Sequence, residues 1–277
     1  MALHYVHGYA PREEIRLLDQ AGALAELLHA DTRYPAGSAV LEAGCGVGAQ
    51  TVILARNSLE ARFTSIDISA KSLEQARARV RDVGARNVSF RQADILDLPF
   101  APGSFDHVFV CFVLEHLPEP GLALASLASR LRPGGSITVI EGDHGSAYFY
   151  PDGPGARRNI QCLVELQARA GGDGLVGRRL FPLLTGAGLS AVRVSPRMVY
   201  VDGSRPELAQ EFTRNTFAAM VEGVRDAVLA LGLVEPPEWQ RGVEELLRAA
   251  EPDGVFCYTF FKAVGFRAMD REVAGER

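Results

Sequence analysis

Hydrophobic positions change their spacing several times along the chain. From about Ser38 to Phe112, short runs rich in Val, Ile and Phe alternate with longer runs of helical spacing, broken by Gly, Pro, Asn or Asp. This alternation predicts βαβ units. Candidate strands are Ala39-Val40-Leu41-Glu42-Ala43, Arg62 to Asp67, Val88 to Gln92, His107 to Cys111 and Ser136 to Glu141. The connections are long enough for crossover helices, so a mainly parallel sheet covered on both faces is expected. Ser69 is placed to cap a helix through Arg81, with Gly84 beyond its end, and Pro133-Gly134-Gly135 stops a helix that begins near Pro120.

After Tyr150 the pattern loosens. Two turn clusters, Pro151 to Gly155 and Gly171 to Gly174, bracket a helix around Ala156 to Ala170, and another helix runs from Leu180 to the stop at Gly186-Ala187-Gly188. A strand near Ala191 to Val201, helical stretches over Glu207 to Leu231 and Pro237 to Ala250, and a last strand at Val255 to Val264 complete the series. The long helical excursion before that last strand reads equally as a lid and as a dimerisation surface.

Composition narrows the function. The chain has 277 residues, 47% hydrophobic and 23% charged, the range of a globular protein with room for a sizeable core. A net charge of -5 and a pI near 5.7 argue against a nucleic-acid partner, which requires a local excess of Lys and Arg. No basic leader followed by an apolar run opens the sequence, and no stretch reaches the roughly 18 to 20 apolar residues of a membrane span, so a cytoplasmic protein without a membrane partner is expected. Cys45, Cys111, Cys162 and Cys257 lie far apart, which predicts neither disulfides nor a metal site.

The chemistry concentrates at predicted strand ends. In Leu41-Glu42-Ala43-Gly44-Cys45-Gly46-Val47-Gly48-Ala49-Gln50 a strand runs into a glycine-rich turn and then a helix, which lets backbone approach a ligand closely. Glycine spacing alone is a weak signal. Asp67 closes the next strand, 23 positions past Gly44 (67 − 44), where a carboxylate accepts ribose hydroxyls. Asp94 closes the third strand. Three such residues on one rim of an open α/β sheet mark a cofactor site at the carboxyl ends of the strands. The structural alternative, a tight turn plus two helix caps, explains each residue singly but not their alignment.

The motifs Val40 to Gly48, Ile66-Asp67-Ile68-Ser69, Gln92 to Phe100, Ser104-Phe105-Asp106, Leu114-Glu115-His116-Leu117 and Leu131 to Gly135 together resemble those of the class I S-adenosylmethionine-dependent methyltransferases, in particular the small-molecule branch. The resemblance covers about Ser38 to Glu141. It implies a Rossmann-like, doubly wound α/β fold with a mainly parallel seven-stranded sheet and helical lid insertions. It divides the chain into an N-terminal helical cap (1–36), a cofactor-binding core (37–145) and acceptor-side helices with the last two strands (146–277). It implies S-adenosylmethionine as cofactor, S-adenosylhomocysteine as product and no metal. By the same resemblance Gly44, Cys45, Gly46 and Gln50 hold the methionine part, Asp67 the ribose, and Asp94 with Ile95 the adenine, on which Ile68 packs. Cys111, Phe112, Glu115 and His116 then lie nearest the methyl group, and Tyr9 with Arg12 covers the cofactor from the N-terminal segment.

His116, His144 and Glu115 are the catalytic candidates. An imidazole titrates near neutrality, and His144 is the preferred base, oriented by Asp143 or Glu141. Tyr148 and Tyr150 are candidates for an aromatic acceptor pocket, with Phe212, Phe217, Met220 and Trp239 as apolar lining or core. The expected task is O- or N-methylation of a small molecule in natural-product tailoring, by a monomer or homodimer. Two readings compete: an NAD(P)-dependent oxidoreductase, against which stands a third glycine one residue early for G-x-G-x-x-G, and a non-catalytic binding protein with this fold.

Overall fold

The computed structural model describes residues 11–269, and side chains from Gln20 onward. Tyr9, and the side chain of Arg12, lie outside the described residues. Helix α1 (Pro11–His29) precedes an alternating core of β1 (Ala39–Ala43), α2 (Ala49–Asn57), β2 (Arg62–Asp67), α3 (Ala70–Asp82), β3 (Val88–Gln92), β4 (Phe105–Cys111), α4 (Pro120–Arg130) and β5 (Leu131–Gly142). Then follow β6 (Tyr148–Tyr150), α5 (Pro154–Arg169), α6 (Leu180–Gly186), β7 (Ser190–Asp202), a helical excursion over 206–230, a helix at Pro236–Arg248, and β8 (Val255–Phe266). The Ser69 hydroxyl accepts from the Ser72 N–H at 3.2 Å, the expected cap of α3.

All strands form one sheet in the order β3-β2-β1-β4-β5-β8, with β1 to β5 parallel and β8 antiparallel to β5. Strand β7 lies antiparallel along one edge of β8, and β6 pairs with β8 beside the end of β5. The described residues form eight strand segments but seven positions across the sheet, because β6 extends the β5 column after a short 3-10 turn at His144–Ser146. The order changes direction between β1 and β4, and ligands of doubly wound sheets bind at that switch point.

Alternate residues on each strand feed opposite faces, which is why the central strands read as continuous apolar runs. Val40, Phe109 and Ile140 pack with Leu24 and Leu28 of α1 and with the excursion helices, whereas Leu41, Val108, Val110 and Val139 pack against Leu124 and Leu127 of α4 and Leu180 and Leu184 of α6. The four cysteines are all buried thiols outside any disulfide. Among the described residues no helix is long and apolar enough to cross a membrane.

One helical segment departs from the sequence reading. Ala209–Ala218 is wound as a π-helix, with the Thr216 hydroxyl donating to the Glu211 carbonyl five residues back at 2.8 Å. The wider winding turns both Phe212 and Phe217 toward β8, where their rings lie 6.1 and 5.3 Å from that of Tyr258.

Candidate active site

The turn after β1 is fixed by backbone. The Gly44 and Cys45 N–H groups both donate to the Ile66 carbonyl at 2.9 Å, tying the turn to β2. Gly46 and Gly48 have φ of 51° and 82°, the left-handed region open to glycine. A side chain on Gly48 would press on the backbone of α3 at Ala76, so this glycine serves packing. A side chain on Gly46 would meet nothing within 4 Å, so this glycine borders open space at the sheet's rim.

Asp67 faces the same space. Its carboxylate accepts from the Gly46 N–H at 2.8 Å and the Ser69 N–H at 2.9 Å, one bond per oxygen, leaving each oxygen a lone pair for ribose hydroxyls. Burial raises its pKa and these backbone hydrogen bonds offset the rise. Beneath the turn, Glu42 is buried and accepts from the Ser65 hydroxyl at 2.5 Å; burial first, then the nearby Asp67 charge, brings its carboxyl up to about 7. Glu42 escaped the sequence reading as a site residue, although a carboxylate inside an apolar strand was the signal for it.

Along the rim Ile68 is 50% exposed and Leu96 51%, two apolar side chains left uncovered at the ends of β2 and β3. Between them Asp94 accepts from the Leu96 N–H at 2.8 Å, and the Ile95 carbonyl accepts from the Ser126 hydroxyl at 2.8 Å. An apolar wall beside a carboxylate suits a purine base with an exocyclic amine. Gln50, at the start of α2, has its amide oxygen 2.7 Å from His29 Nε2. Sequence reasoning missed His29, because it lies 21 residues away on α1.

At the end of β4, Cys111 is buried and Phe112 is held at φ 57°, a left-handed conformation that costs a non-glycine residue about 1–3 kcal/mol. The Phe112 N–H donates to the Ile140 carbonyl at 3.0 Å, and its ring lies 5.4 Å from Phe260. The sharp turn delivers Leu114–His116 as a 3-10 segment beside the end of β5.

There the three catalytic candidates meet. Glu115 lies between the two histidines, with Oε1 3.5 Å from His116 Nε2 and Oε2 3.7 Å from His144 Nε2. Gln167 Nε2 donates to Glu115 Oε2 at 3.3 Å. His144 is 4% exposed, and its Nδ1 lies 2.9 Å from the Tyr258 hydroxyl. Burial pushes the Tyr258 phenol well above its ordinary pKa, so it keeps its proton as the hydroxyl beside Nδ1, and Nε2 is the ring nitrogen that faces Glu115.

The expected orienting groups do something else. Asp143 is held in a bidentate pair by Arg178, at 2.7 Å through Nε and 2.7 Å through a terminal nitrogen. Glu141 accepts from the Val113 and Leu114 N–H groups at 3.0 and 2.8 Å, and burial raises its pKa well above the ordinary value. Tyr258 orients His144 instead. Tyr148 and Tyr150 are not core residues: Phe149 between them enters the core and the two tyrosines alternate outward, 50% and 62% exposed. Phe212, Phe217, Met220 and Trp239 are all buried core, although Phe217 also reaches within 6.4 Å of the His144 ring.

Residues 41–139 match the family model described as a methyltransferase domain. The core is a class I S-adenosylmethionine-dependent methyltransferase domain. An uncharacterized protein of Synechococcus is 31% identical over 84% of this chain and 49% of its own. The 27-O-demethylrifamycin SV methyltransferase of Amycolatopsis mediterranei is 34% identical over 48% of this chain and 49% of its own. The methyltransferase fold is also that of a Haemonchus contortus phosphoethanolamine N-methyltransferase, solved with S-adenosylhomocysteine (TM-score 0.56, 15% identity, 91% of this chain and 53% of that one). The chain spans about half the length of the curated relatives it matches. Among the described residues no group of three or more His, Cys, Asp or Glu side chains is placed to hold a metal ion.

Proposed function

We propose that the protein transfers a methyl group from S-adenosylmethionine to a hydroxyl oxygen of a small molecule. The observation that carries the cofactor reading is the open turn at Gly46, whose N–H is bound by the Asp67 carboxylate beside the exposed Ile68. These residues fit the group: Gly46 leaves room for the amino-acid arm, Asp67 keeps acceptor capacity for the ribose, and Ile68 with Leu96 offers apolar faces to adenine.

When bound, S-adenosylmethionine supplies an electrophilic methyl on a sulfonium, a good leaving group. The protein's part is then to position an acceptor, exclude water and take a proton. Glu115 is the base in this reading, because its carboxylate offers lone pairs at the turn after β4 whereas His144 Nδ1 is engaged by Tyr258. His144 and Gln167 hold Glu115 in place. An amine that arrives neutral already has its attacking lone pair and depends less on such a base than a hydroxyl does; the Glu115 cluster therefore favours oxygen over nitrogen. Relatives named as an O-methyltransferase of Penicillium expansum and a 27-O-demethylrifamycin SV methyltransferase of Amycolatopsis mediterranei support the same class, and natural-product tailoring is the setting we infer from them.

Calorimetric titration with S-adenosylmethionine, S-adenosylhomocysteine, NAD and NADP tests the cofactor. Binding of the first two alone, abolished in Asp67→Ala, is expected; binding of the nicotinamide pair would sink the proposal. Methyl transfer to hydroxylated and amine acceptors, followed by mass spectrometry, decides the acceptor atom.

A further inference from the structure

We propose that His29 is a positioning residue that orients the Gln50 amide so that its NH2 end binds the carboxylate of the cofactor's methionine arm. The proposal rests on the S-adenosylmethionine reading of the site and deepens it. Gln50 stands at the first turn of α2, directly after the glycine turn, where a side-chain amide presents either an acceptor or a donor to a ligand. His29 removes the choice. Its Nε2 lies 2.7 Å from the Gln50 oxygen, so a neutral imidazole with its proton on Nε2 binds that oxygen and leaves the NH2 as the end offered to a ligand. A carboxylate is the ligand group that a fixed NH2 donor selects.

Two further observations make the orientation rigid. His29 is buried, with its ring 5.7 Å from Phe109 of β4, and its own carbonyl accepts from the Asn57 side chain at 3.2 Å. The end of α1 that carries it is pinned by Lys262 of β8, whose ammonium donates to the Leu28 carbonyl at 3.0 Å and to Thr32 and Asp31, both at 2.6 Å. The charged groups facing His29 are Lys262 and Asp31, of opposite effect, and burial, the largest influence, lowers the imidazole to about 4. The ring is therefore neutral at physiological pH. An amide held this way has lost its rotamer freedom before the ligand arrives, which strengthens binding without any contact between His29 and the ligand.

The test compares two ligands that share the nucleoside and thioether: S-adenosylhomocysteine, which carries the amino-acid carboxylate, and 5′-methylthioadenosine, which lacks it. In calorimetry, His29→Leu is expected to weaken S-adenosylhomocysteine about tenfold, the order of one oriented hydrogen bond to a charged group, and to leave 5′-methylthioadenosine unchanged. Gln50→Ala gives the same selective loss, and the double variant adds nothing further. Equal weakening of both ligands, or of neither, overturns the proposal. If His29→Leu fails to fold by circular dichroism, Gln50→Glu decides: the isosteric carboxylate repels S-adenosylhomocysteine alone if the NH2 binds a carboxylate there, and equal affinities refute it. A wild-type protein that binds neither ligand removes the cofactor reading itself, whereas selective failure in the variants removes only the role of His29.

Discussion

Two glycines two residues apart have different surroundings in this structure, and replacing each by alanine separates packing from the proposed binding. Alanine at Gly46 or Gly48 must hold φ near 51° or 82°, which costs an L-residue about 1 kcal/mol. At Gly48 the new methyl also lies 2.9 Å from the Cα and Cβ of Ala76, and helix backbone does not yield cheaply; overpacking of this kind adds about 1–3 kcal/mol. Gly48→Ala therefore loses about 2–4 kcal/mol, and Gly46→Ala only about 1. In a chain of this size each kcal/mol lowers the melting temperature by about 2–4 °C, so expected drops are roughly 4–16 °C and 2–4 °C. Ligand response is predicted to run the other way. S-adenosylhomocysteine at a hundredfold its Kd stabilises the wild type by about 2.7 kcal/mol, roughly 5–11 °C. Gly48→Ala keeps that upward shift, because its methyl points into α3, and Gly46→Ala loses it, because its methyl occupies the open rim. Scanning fluorimetry with and without ligand measures both. A full ligand shift in Gly46→Ala would refute the assignment of that space to the cofactor.

Three other expectations follow from the same geometry. Asp67→Asn keeps the volume but removes the charge assigned above to the ribose, and should weaken S-adenosylhomocysteine by about 10- to 100-fold in calorimetry; unaltered affinity contradicts that role. Glu115→Gln should lower the turnover of a hydroxyl acceptor by about 10²–10⁴ while cofactor affinity stays within twofold, and a variant that loses cofactor binding instead marks Glu115 as structural. Glu42 and His29 should tilt the pH dependence of stability in opposite senses. With its folded value raised from 4.5 to about 7, Glu42 binds more protons folded than unfolded, so its contribution falls by roughly 3 kcal/mol as pH rises through that window. His29, lowered from 6.5 to about 4, binds fewer protons folded, so its contribution grows by roughly 3 kcal/mol as pH rises from 4 to 6.5. Between pH 4.5 and 6.5 the two cancel, and urea melts of Glu42→Gln and His29→Leu should expose a rising and a falling slope respectively; two variants with the wild-type slope would overturn both assignments.

Local chemistry made most of the scaffold legible. The short runs bounded by turn residues match β1, β2 and β3 to the residue, because such punctuation marks strand ends whether or not both faces are buried. The three-residue β6 was missed, since Tyr148-Phe149-Tyr150 is too short to show a period and exists only by pairing with β8. The π winding at Ala209–Ala218 was read as ordinary helix, because its cause is the demand of β8 for both phenylalanines. Within the site, motif residues on successive strand ends were found, and the partners that set their chemistry were not. Tyr258 is 114 residues from His144, and Arg178 is 35 from Asp143; no local pattern encodes such meetings. Proximity in sequence misled where it was trusted: Asp143, adjacent to His144, points to Arg178.

The position of β8 in the sheet also sets an order of assembly during synthesis. Residues 39–142 contain β1 to β5, which pair among themselves in parallel, so more than half of the sheet has its partners as soon as that stretch has left the ribosome. Strand β7 has no such provision. It pairs with β8 alone among the described residues, and β8 begins 53 residues after β7 ends (255 − 202). At about 5–20 residues per second, β7 waits roughly 3–10 s with unpaired N–H and C=O groups, and the outer edge of β5, complete at Gly142, waits about twice as long. Over that interval the nascent chain offers two open strand edges to its neighbours on the same polysome. Yield of folded protein should therefore depend on how quickly codons 203–254 are translated and on whether a chaperone occupies those edges until the final strand slides between them.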